Sequence, residues 1–156
     1  MLLILSLILN THAAIVTNSK LDWSKDLANK ANKTFGCVYF LEEVSKVKKY
    51  DYTDKSTNEI LKDLYLFNKE ITLRTYYKRF TKAIAYTYYG NSEIYLNTNR
   101  NPRDMAEMIN TIAHESTHIL GYGHGNNKPI GKENSVPYKI GSIAEQTYKK
   151  CNGVQW

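Results

Sequence analysis

The sequence predicts a single α+β domain that combines several strands with a long helix, other helices and a C-terminal helix. Three observations support this class. Helical periodicity occurs near both ends of the chain, whereas segments rich in Thr, Tyr and Ile lie in the middle, between residues 71 and 97. The chain of 156 residues is also long enough to bury one hydrophobic core.

The composition is that of an ordinary globular domain, with 42% hydrophobic and 23% charged residues. The formal net charge of +6 invites a nucleic-acid interpretation, but Lys and Arg are scattered along the chain. The densest cluster, Lys46, Lys48 and Lys49, is short and indicates a solvated face. We therefore expect no nucleic-acid partner, and we expect most of the thirteen tyrosines on the sheet surface and at the rim of the core.

The N-terminal residues 1–13 have the pattern of a signal peptide. Residues 1–9 form a short apolar run, and Thr11 and Ala13 are the small residues that precede a cleavage site. This pattern favours a secreted or periplasmic protein, with a buried strand or an uncleaved anchor as alternatives. The run is too short to span a bilayer, which takes about twenty residues, so no stable membrane insertion is expected.

Two helices and a strand are predicted next. Residues 21–35 repeat apolar side chains on one stripe, which is typical of an amphipathic helix. Residues 38–44 have the composition of a short strand. Ser56 and Glu59 form a capping box that begins a second helix, which extends to about residue 68.

Three strands are predicted in the middle of the chain. Residues 71–80 and 83–89 are rich in residues that favour strands. A Gly-Asn pair at residues 90–91 predicts a hairpin turn, and the strand from Ser92 to Asn97 returns from it.

A long helix follows these strands. Asn101 is a suitable N-cap, Pro102 suits the first helical position, and Asp104 in the first turn suits the helix dipole. Neither Pro nor Gly interrupts the pattern before Gly121, so the helix should have about five turns. Its predicted buried face consists of Met105, Met108, Ile109, Ile112, Ile119 and Leu120.

The C-terminal part begins as a loop. Residues 125–141 have loop composition, and Ser142 with Glu145 forms a second capping box. A final helix is expected from there to about residue 150.

Cys37 and Cys151 are the only cysteines of the chain. In an exported protein an even pair suggests a disulfide bond. Two buried free thiols are the alternative, and only geometry decides between them.

Three of the four histidines lie within residues 112–124, where the long helix ends. His114 and His118 are four residues apart, so a helix places both imidazoles on one face. Glu115 stands beside the first of them, where a carboxylate can reach a metal-bound water without being a ligand. Gly121 can turn the chain back toward a metal, and His124 then arrives as a third ligand.

The spacing His-Glu-x-x-His-x-x-Gly-x-x-His resembles the zinc signature of the metzincin metallopeptidases. All five defining positions are present, and this extended motif is much more specific than a bare His-Glu-x-x-His. The resemblance implies a compact zincin or metzincin-like fold, with an upper half at about residues 14–121 and a lower half at about residues 122–156. In such a fold a small mixed sheet and its backing helices lie above the long zinc-binding helix, and an irregular loop and the C-terminal helix lie below it.

The same resemblance implies a zinc-dependent endopeptidase with one catalytic Zn²⁺. The metal ligands would be His114, His118 and His124. Glu115 would be the general base for a zinc-activated water that attacks a peptide bond. The substrate would be an extended polypeptide whose main chain pairs with the strand at residues 92–97, and an ordinary edge or interior strand is the alternative.

This chain departs from the family pattern below the metal. Metzincins place a methionine in a tight turn there, whereas this chain has no methionine after Met108. Val136, in the Ser-Val-Pro-Tyr sequence of residues 135–138, is the expected equivalent. Tyr138 has the offset at which some relatives place a tyrosine near the metal. Tyr138 is therefore a candidate catalytic residue that donates to the reaction oxyanion, and a packing tyrosine is the alternative.

Three other functions are compatible with the sequence. The chain could be a catalytically silent binding domain stabilised by zinc, or a zinc-dependent amidase that acts on cell-wall or other non-protein amides. It could also be a basic protein that binds anionic polymers, in which case the affinity would fall with salt and ignore chelators. A monomer is expected in each case.

Overall fold

The computed structural model describes residues 14–66, 69–125 and 132–152. The expected signal peptide at residues 1–13 and the expected helix end near residue 68 lie outside the described residues. The described elements are β1 (Ile15–Thr17), α1 (Asp22–Phe35), α2 (Val38–Ser45), α3 (Thr57–Leu66), β2 (Ile71–Tyr76), β3 (Ala85–Thr87), β4 (Glu93–Asn97), α4 (Met105–Ile119) and α5 (Val136–Asn152). The predicted α+β class is confirmed, because the described residues form both helices and a sheet.

The four strands form one mixed sheet in the order β1-β2-β4-β3. Strand β2 pairs in parallel with both β1 and β4, and β3 pairs antiparallel with β4. The turn between β3 and β4 contains Gly90 at φ +77°, so the predicted hairpin is confirmed. One face of the sheet buries apolar side chains against helices α1 and α4, as expected for an α+β domain. The fully buried apolar members on β2 and β4 are Ile71, Leu73, Ile94 and Leu96.

The position of β4 in the sheet argues against the expectation that a substrate peptide pairs with residues 92–97. β4 lies inside the sheet, and its residues Ile94 to Leu96 pair with β2 on one side and with β3 on the other. Its main-chain hydrogen-bonding groups are therefore occupied on both sides, which leaves no room for a peptide to pair there. The antiparallel edge of the described sheet is β3. The two strands predicted at residues 71–80 and 83–89 exist but are shorter than expected, because the chain leaves the sheet after Tyr76 and after Thr87.

Helix α2 corrects the strand predicted at residues 38–44. Phe40 and Val44 are both buried and stand four residues apart, so they lie on one helical face. The Phe40 ring packs against Phe35, with 5.6 Å between the ring centroids. The β-branched and aromatic composition of this segment suggested a strand, but burial on a helical period decides its structure.

The start of α4 also differs from the prediction. Asp104 is the N-cap, and its Oδ1 accepts from the backbone N–H groups of Ala106 at 2.9 Å and Glu107 at 3.4 Å. Asn101 instead donates its amide to the carbonyls of Ile84 and Asn97, and its peptide bond to Pro102 is cis. The helix therefore has 15 residues. That length corresponds to about four turns rather than five.

The start of α5 is a second correction. The helix begins at Val136, so Ser142 and Glu145 lie inside it and do not form a capping box. Glu145 accepts from the Asn110 amide at 2.9 Å and from Lys149 at 2.6 Å. The capping box predicted at Ser56 is confirmed, because the Ser56 N–H and hydroxyl both donate to Glu59, at 2.8 and 2.7 Å.

A disulfide bond joins Cys37, just before α2, to Cys151 near the end of α5. The disulfide alternative at these two cysteines is therefore confirmed. Such bonds persist in oxidising compartments, which is consistent with an extracellular location. Within the described parts of the chain, no helix combines the length and the apolar character needed to cross a membrane.

Candidate metal centre

Helix α4 brings the first two imidazoles of the motif together. The rings of His114 and His118 have centroids 4.9 Å apart, and their Nε2 atoms are separated by 3.2 Å. This proximity follows from the four-residue spacing, which stacks the two side chains on one face of the helix. The opposite face of α4 is buried, so the helix is fixed in place beneath the sheet.

Gly121 turns the chain after the helix. Its backbone has φ +91°, a conformation that side chains with a Cβ rarely adopt. A Cβ at this position would also meet the Tyr89 ring at 3.2 Å. The turn returns His124 to the site, with ring centroids 5.4 Å from His114 and 5.0 Å from His118. The predicted helix stop and the return of the third histidine are both present.

The three imidazoles can hold one metal ion. One ligand nitrogen from each histidine lies within 4.8 Å of the others. Two nitrogens that bind a tetrahedral zinc at 2.0–2.1 Å stand about 3.3 Å apart. The 3.2 Å between the Nε2 atoms of His114 and His118 has that length. Zinc favours imidazole nitrogen, so the donor set and the spacing both fit this ion.

The electrostatic state of the histidines also suits a metal. Burial and the neighbouring imidazoles of His118 and His124 lower the pKa of His114 to about 3. Burial likewise lowers the pKa of His118. Only a neutral imidazole can donate its lone pair to a metal, so both rings are ready to bind at neutral pH.

His118 is oriented by a hydrogen bond that the sequence did not reveal. Its Nδ1 lies 2.6 Å from the carbonyl oxygen of Tyr122, which requires the proton on Nδ1 and leaves Nε2 free for a metal. The Tyr122 hydroxyl in turn donates to Asp63 of α3 at 2.5 Å. Lys55 binds the same carboxylate oxygen at 2.5 Å, and its Nζ lies 5.2 Å from the centroid of the Tyr122 ring.

Glu115 stands apart from the three ligands and beneath the edge strand. Burial raises the pKa of its carboxyl to about 7, and the backbone N–H of Thr87 in β3 opposes that shift. A carboxylate with a pKa near neutrality can both accept and return a proton. Tyr76 is near enough to Glu115 to respond to its charge. Burial is the main cause that raises the pKa of the Tyr76 hydroxyl, and the charge of Glu115 raises it further. Sequence reasoning predicted Glu115 but gave no sign of Thr87 or Tyr76.

Tyr138 lies beside the histidines. Its ring centroid is 4.7 Å from that of His114 and 5.3 Å from that of His124, and the residue is 40% exposed. The residue belongs to the first turn of α5 rather than to a free turn. Val136, the expected equivalent of the family's methionine, is buried at the start of the same helix. A partly exposed phenol at this position can reach both the histidines and a bound molecule.

Comparisons with models of known protein families, with curated proteins and with solved structures find no match to this chain. The chemistry of the site therefore has to be argued from its own geometry. That geometry comprises a group of three histidines able to hold a metal ion, a nearby carboxyl of raised pKa and a partly exposed tyrosine.

Proposed function

We propose that this chain is a zinc-dependent endopeptidase. The proposal rests on one observation: three imidazoles converge within 4.8 Å, and Glu115, which follows the first of them on the helix and is outside the ligand set, has a carboxyl whose pKa is raised by burial. A zinc ion that only stabilised the fold would gain nothing from Glu115. A hydrolase needs such a group to move protons.

A zinc ion held by the three histidines would supply Lewis-acid chemistry, polarising the scissile carbonyl and lowering the pKa of a coordinated water toward about 7. The carboxylate of Glu115 accepts a proton from the attacking water and then donates it to the nitrogen of the leaving amine. Its pKa of about 7 makes both transfers accessible near neutral pH. The hydroxyl of Tyr138 donates a hydrogen bond to the oxyanion that develops on the carbonyl.

The proposed substrate is an extended polypeptide that pairs with β3. This strand has a partner on only one side in the described sheet, and its residue Thr87 faces Glu115. A peptide that adds a strand at this edge would present its main chain along the site. The free edge supports β3 in this role in place of β4.

We further propose that the protein acts outside the cytoplasm. The support is the disulfide between Cys37 and Cys151, together with the signal-peptide pattern of residues 1–13.

The deciding experiment compares wild type with Glu115→Gln on an unfolded protein substrate, with cleavage read by mass spectrometry. Both proteins should bind one zinc, whereas Glu115→Gln should lose about 100-fold or more in turnover. Glu107→Gln is the matched control, because Glu107 lies on the same helix, is exposed and binds Arg103 rather than the site. It should cleave as wild type does, and a chelator should stop all cleavage.

Other outcomes would redirect the assignment. Equal cleavage by wild type and Glu115→Gln would exclude the proposed mechanism. One bound zinc without hydrolysis of any substrate would favour a binding domain. Cleavage of cell-wall amides but not of polypeptides would favour an amidase.

A further inference from the structure

Most of the net positive charge of this protein arises in one segment, because that segment has few acidic residues. Residues 71–103 contain six Lys and Arg side chains and a single acidic one, Glu93, so they carry +5 of the formal net charge of +6. Glu93 is itself paired with Arg74. The 21 basic residues are scattered along the chain as expected, and this segment differs in having a single acidic residue. The basic residues of this segment are Arg74, Lys78, Arg79, Lys82, Arg100 and Arg103.

Three of these residues lie in the connection between β2 and β3, residues 77–84, which we call the basic loop. The fully buried Asn97 fixes its two ends. The Asn97 amide donates to the carbonyls of Lys78 at 3.0 Å and Ala83 at 3.2 Å, and its Oδ1 accepts from the Lys78 N–H at 3.1 Å. The loop is thus built on the end of β4 rather than left unsupported.

The middle of the basic loop is braced from the same side. Arg100 donates from Nε and Nη2 to the carbonyl of Thr81, at 3.1 and 3.0 Å. Asn99 donates its amide to the carbonyl of Arg79 at 3.2 Å. These bonds satisfy loop carbonyls that would otherwise need water, so they hold the tip in a defined conformation.

The braced tip presents apolar surface to solvent. Phe80 is 91% exposed and Tyr77 is 67% exposed, although large aromatic side chains are normally buried. The only described ring or cation contact of Phe80 is with Arg79, whose guanidinium carbon lies 5.4 Å from the ring centroid. A supported loop that keeps a phenylalanine in water indicates an interaction site rather than a packing defect.

A cavity of about 650 Å³ lies at the base of the basic loop. Its lining includes the cationic side chains of Lys82, Arg100 and Arg103. Asn101 also lines it and is 6% exposed, and its Oδ1 has no hydrogen-bond partner among the described residues. A phosphate-sized anion in this cavity would meet Lys82 and Arg100, whereas Arg103 is already paired with Glu107.

We propose that the basic loop docks on the surface of an anionic phospholipid membrane. Phe80 enters the interface between headgroups and acyl chains, and the surrounding cations contact lipid phosphates. The Phe80 ring contacts no other aromatic ring among the described residues, and this fits insertion better than base stacking, which uses a row of rings on a groove. This inference does not depend on the metal centre.

The test is co-sedimentation of the full protein with vesicles of phosphatidylcholine alone and with vesicles that also contain phosphatidylserine. Binding should require phosphatidylserine and should weaken as salt is raised. Lys78→Glu with Arg79→Glu should weaken binding by about tenfold or more, since each cation near such a surface contributes to affinity. Lys48→Glu with Lys49→Glu is the matched control: both lysines are exposed, and the change in charge is the same.

A second readout separates insertion from simple charge attraction. Phe80→Trp should show a blue shift of its fluorescence on phosphatidylserine vesicles and quenching by brominated lipid, and Phe80→Ala should bind about tenfold more weakly. The proposal is overturned if the loop variant (Lys78→Glu with Arg79→Glu) and its control (Lys48→Glu with Lys49→Glu) lose the same amount of vesicle binding. It is overturned as well if vesicles with and without phosphatidylserine bind the protein equally. It is also overturned if single-stranded oligonucleotides bind more tightly than vesicles and do so independently of Phe80.

Discussion

The orientation of His118 depends on groups that are remote in sequence. Tyr122 offers its carbonyl to the imidazole, and its hydroxyl is fixed by Asp63, which is 59 residues away along the chain. Lys55 binds the same carboxylate and lies over the tyrosine ring. The turn that carries the third histidine is thus anchored to α3, and this anchor helps to preorganise the metal site.

We predict that Tyr122→Phe weakens zinc binding. The change removes the hydroxyl that binds Asp63 but keeps the ring, so the Tyr122 carbonyl is held less firmly against His118. Loss of such a supporting partner typically costs 10–100-fold in metal affinity, and because the carbonyl itself remains we expect about tenfold. Competition against a chromophoric chelator measures the affinity.

Tyr65→Phe is the control for this prediction. Tyr65 also donates its hydroxyl across the core, to the carbonyl of Phe35 at 3.2 Å, and burial raises the pKa of that hydroxyl. Its removal should lower stability without changing zinc affinity. If the two variants weaken zinc binding equally, the effect comes from general loosening and the anchor has no specific role.

The sequence predicts this site well where its parts are local. His114, His118, Gly121 and His124 lie within eleven residues, and helical geometry with one left-handed glycine brings them together. The partners Asp63, Thr87 and Tyr76 come from other elements. Their approach depends on how those elements pack, which no local pattern encodes.

The packing of α4 against α5 controls how Tyr138 meets the histidines. Gly141 lies one turn after Tyr138, and Asn110 lies one turn before His114. An ideal Cβ on Gly141 would collide with the Asn110 side-chain oxygen and stand 3.1 Å from the Asn110 carbonyl oxygen. The two helices therefore approach closely because this position is glycine.

We predict that Gly141→Ala destabilises the protein and weakens zinc binding. Alanine favours a helix over glycine by about 1 kcal/mol, but overpacking a close contact typically costs 1–3 kcal/mol, so the net change should be unfavourable by up to about 2 kcal/mol. The collision is with Asn110, one turn before His114, so it would also shift the helix that carries two of the three candidate ligands. Urea denaturation and zinc competition measure the two effects.

Two variants make this prediction specific. Ser142→Ala adds helix propensity at the next position of α5, where the wild-type residue already has a Cβ, and should not destabilise the protein. Asn110→Ala combined with Gly141→Ala removes the colliding amide and should recover part of the loss. A Gly141→Ala variant as stable as Ser142→Ala would show that the helices have room for the methyl group.

The misassigned elements have a common cause. Residues 38–44 have strand composition, yet Phe40 and Val44 are buried on a helical face against neighbouring elements. Ser142 and Glu145 have the spacing of a capping box, yet α5 already began at Val136. Local propensity is a weak guide where tertiary burial or an earlier helix start decides the outcome.

The arrangement of the whole chain depends on pairings that join distant segments. The sheet order places β4 between β2 and β3, and this order moved the proposed substrate edge from the predicted strand to β3. Helix α5 carries Tyr138, which lies beside the three histidines, and also Cys151, which is bonded to Cys37. The sequence contained the two cysteines, but only the folded chain shows that they meet.

We predict that replacing both cysteines, Cys37→Ser with Cys151→Ser, lowers stability strongly and leaves the zinc affinity of the folded protein unchanged. The bond closes a separation of 114 residues. In the chain-entropy model such a loop stabilises the folded state by about 4–5 kcal/mol, because it restricts the unfolded chain. Cys151 lies at the opposite end of α5 from Tyr138, so the loss of the bond should leave the arrangement of the three histidines unchanged. Urea denaturation and zinc competition on the same samples separate these two effects. A large loss of zinc affinity under conditions where the variant is fully folded would show that the disulfide positions α5 at the metal centre as well as stabilising the chain.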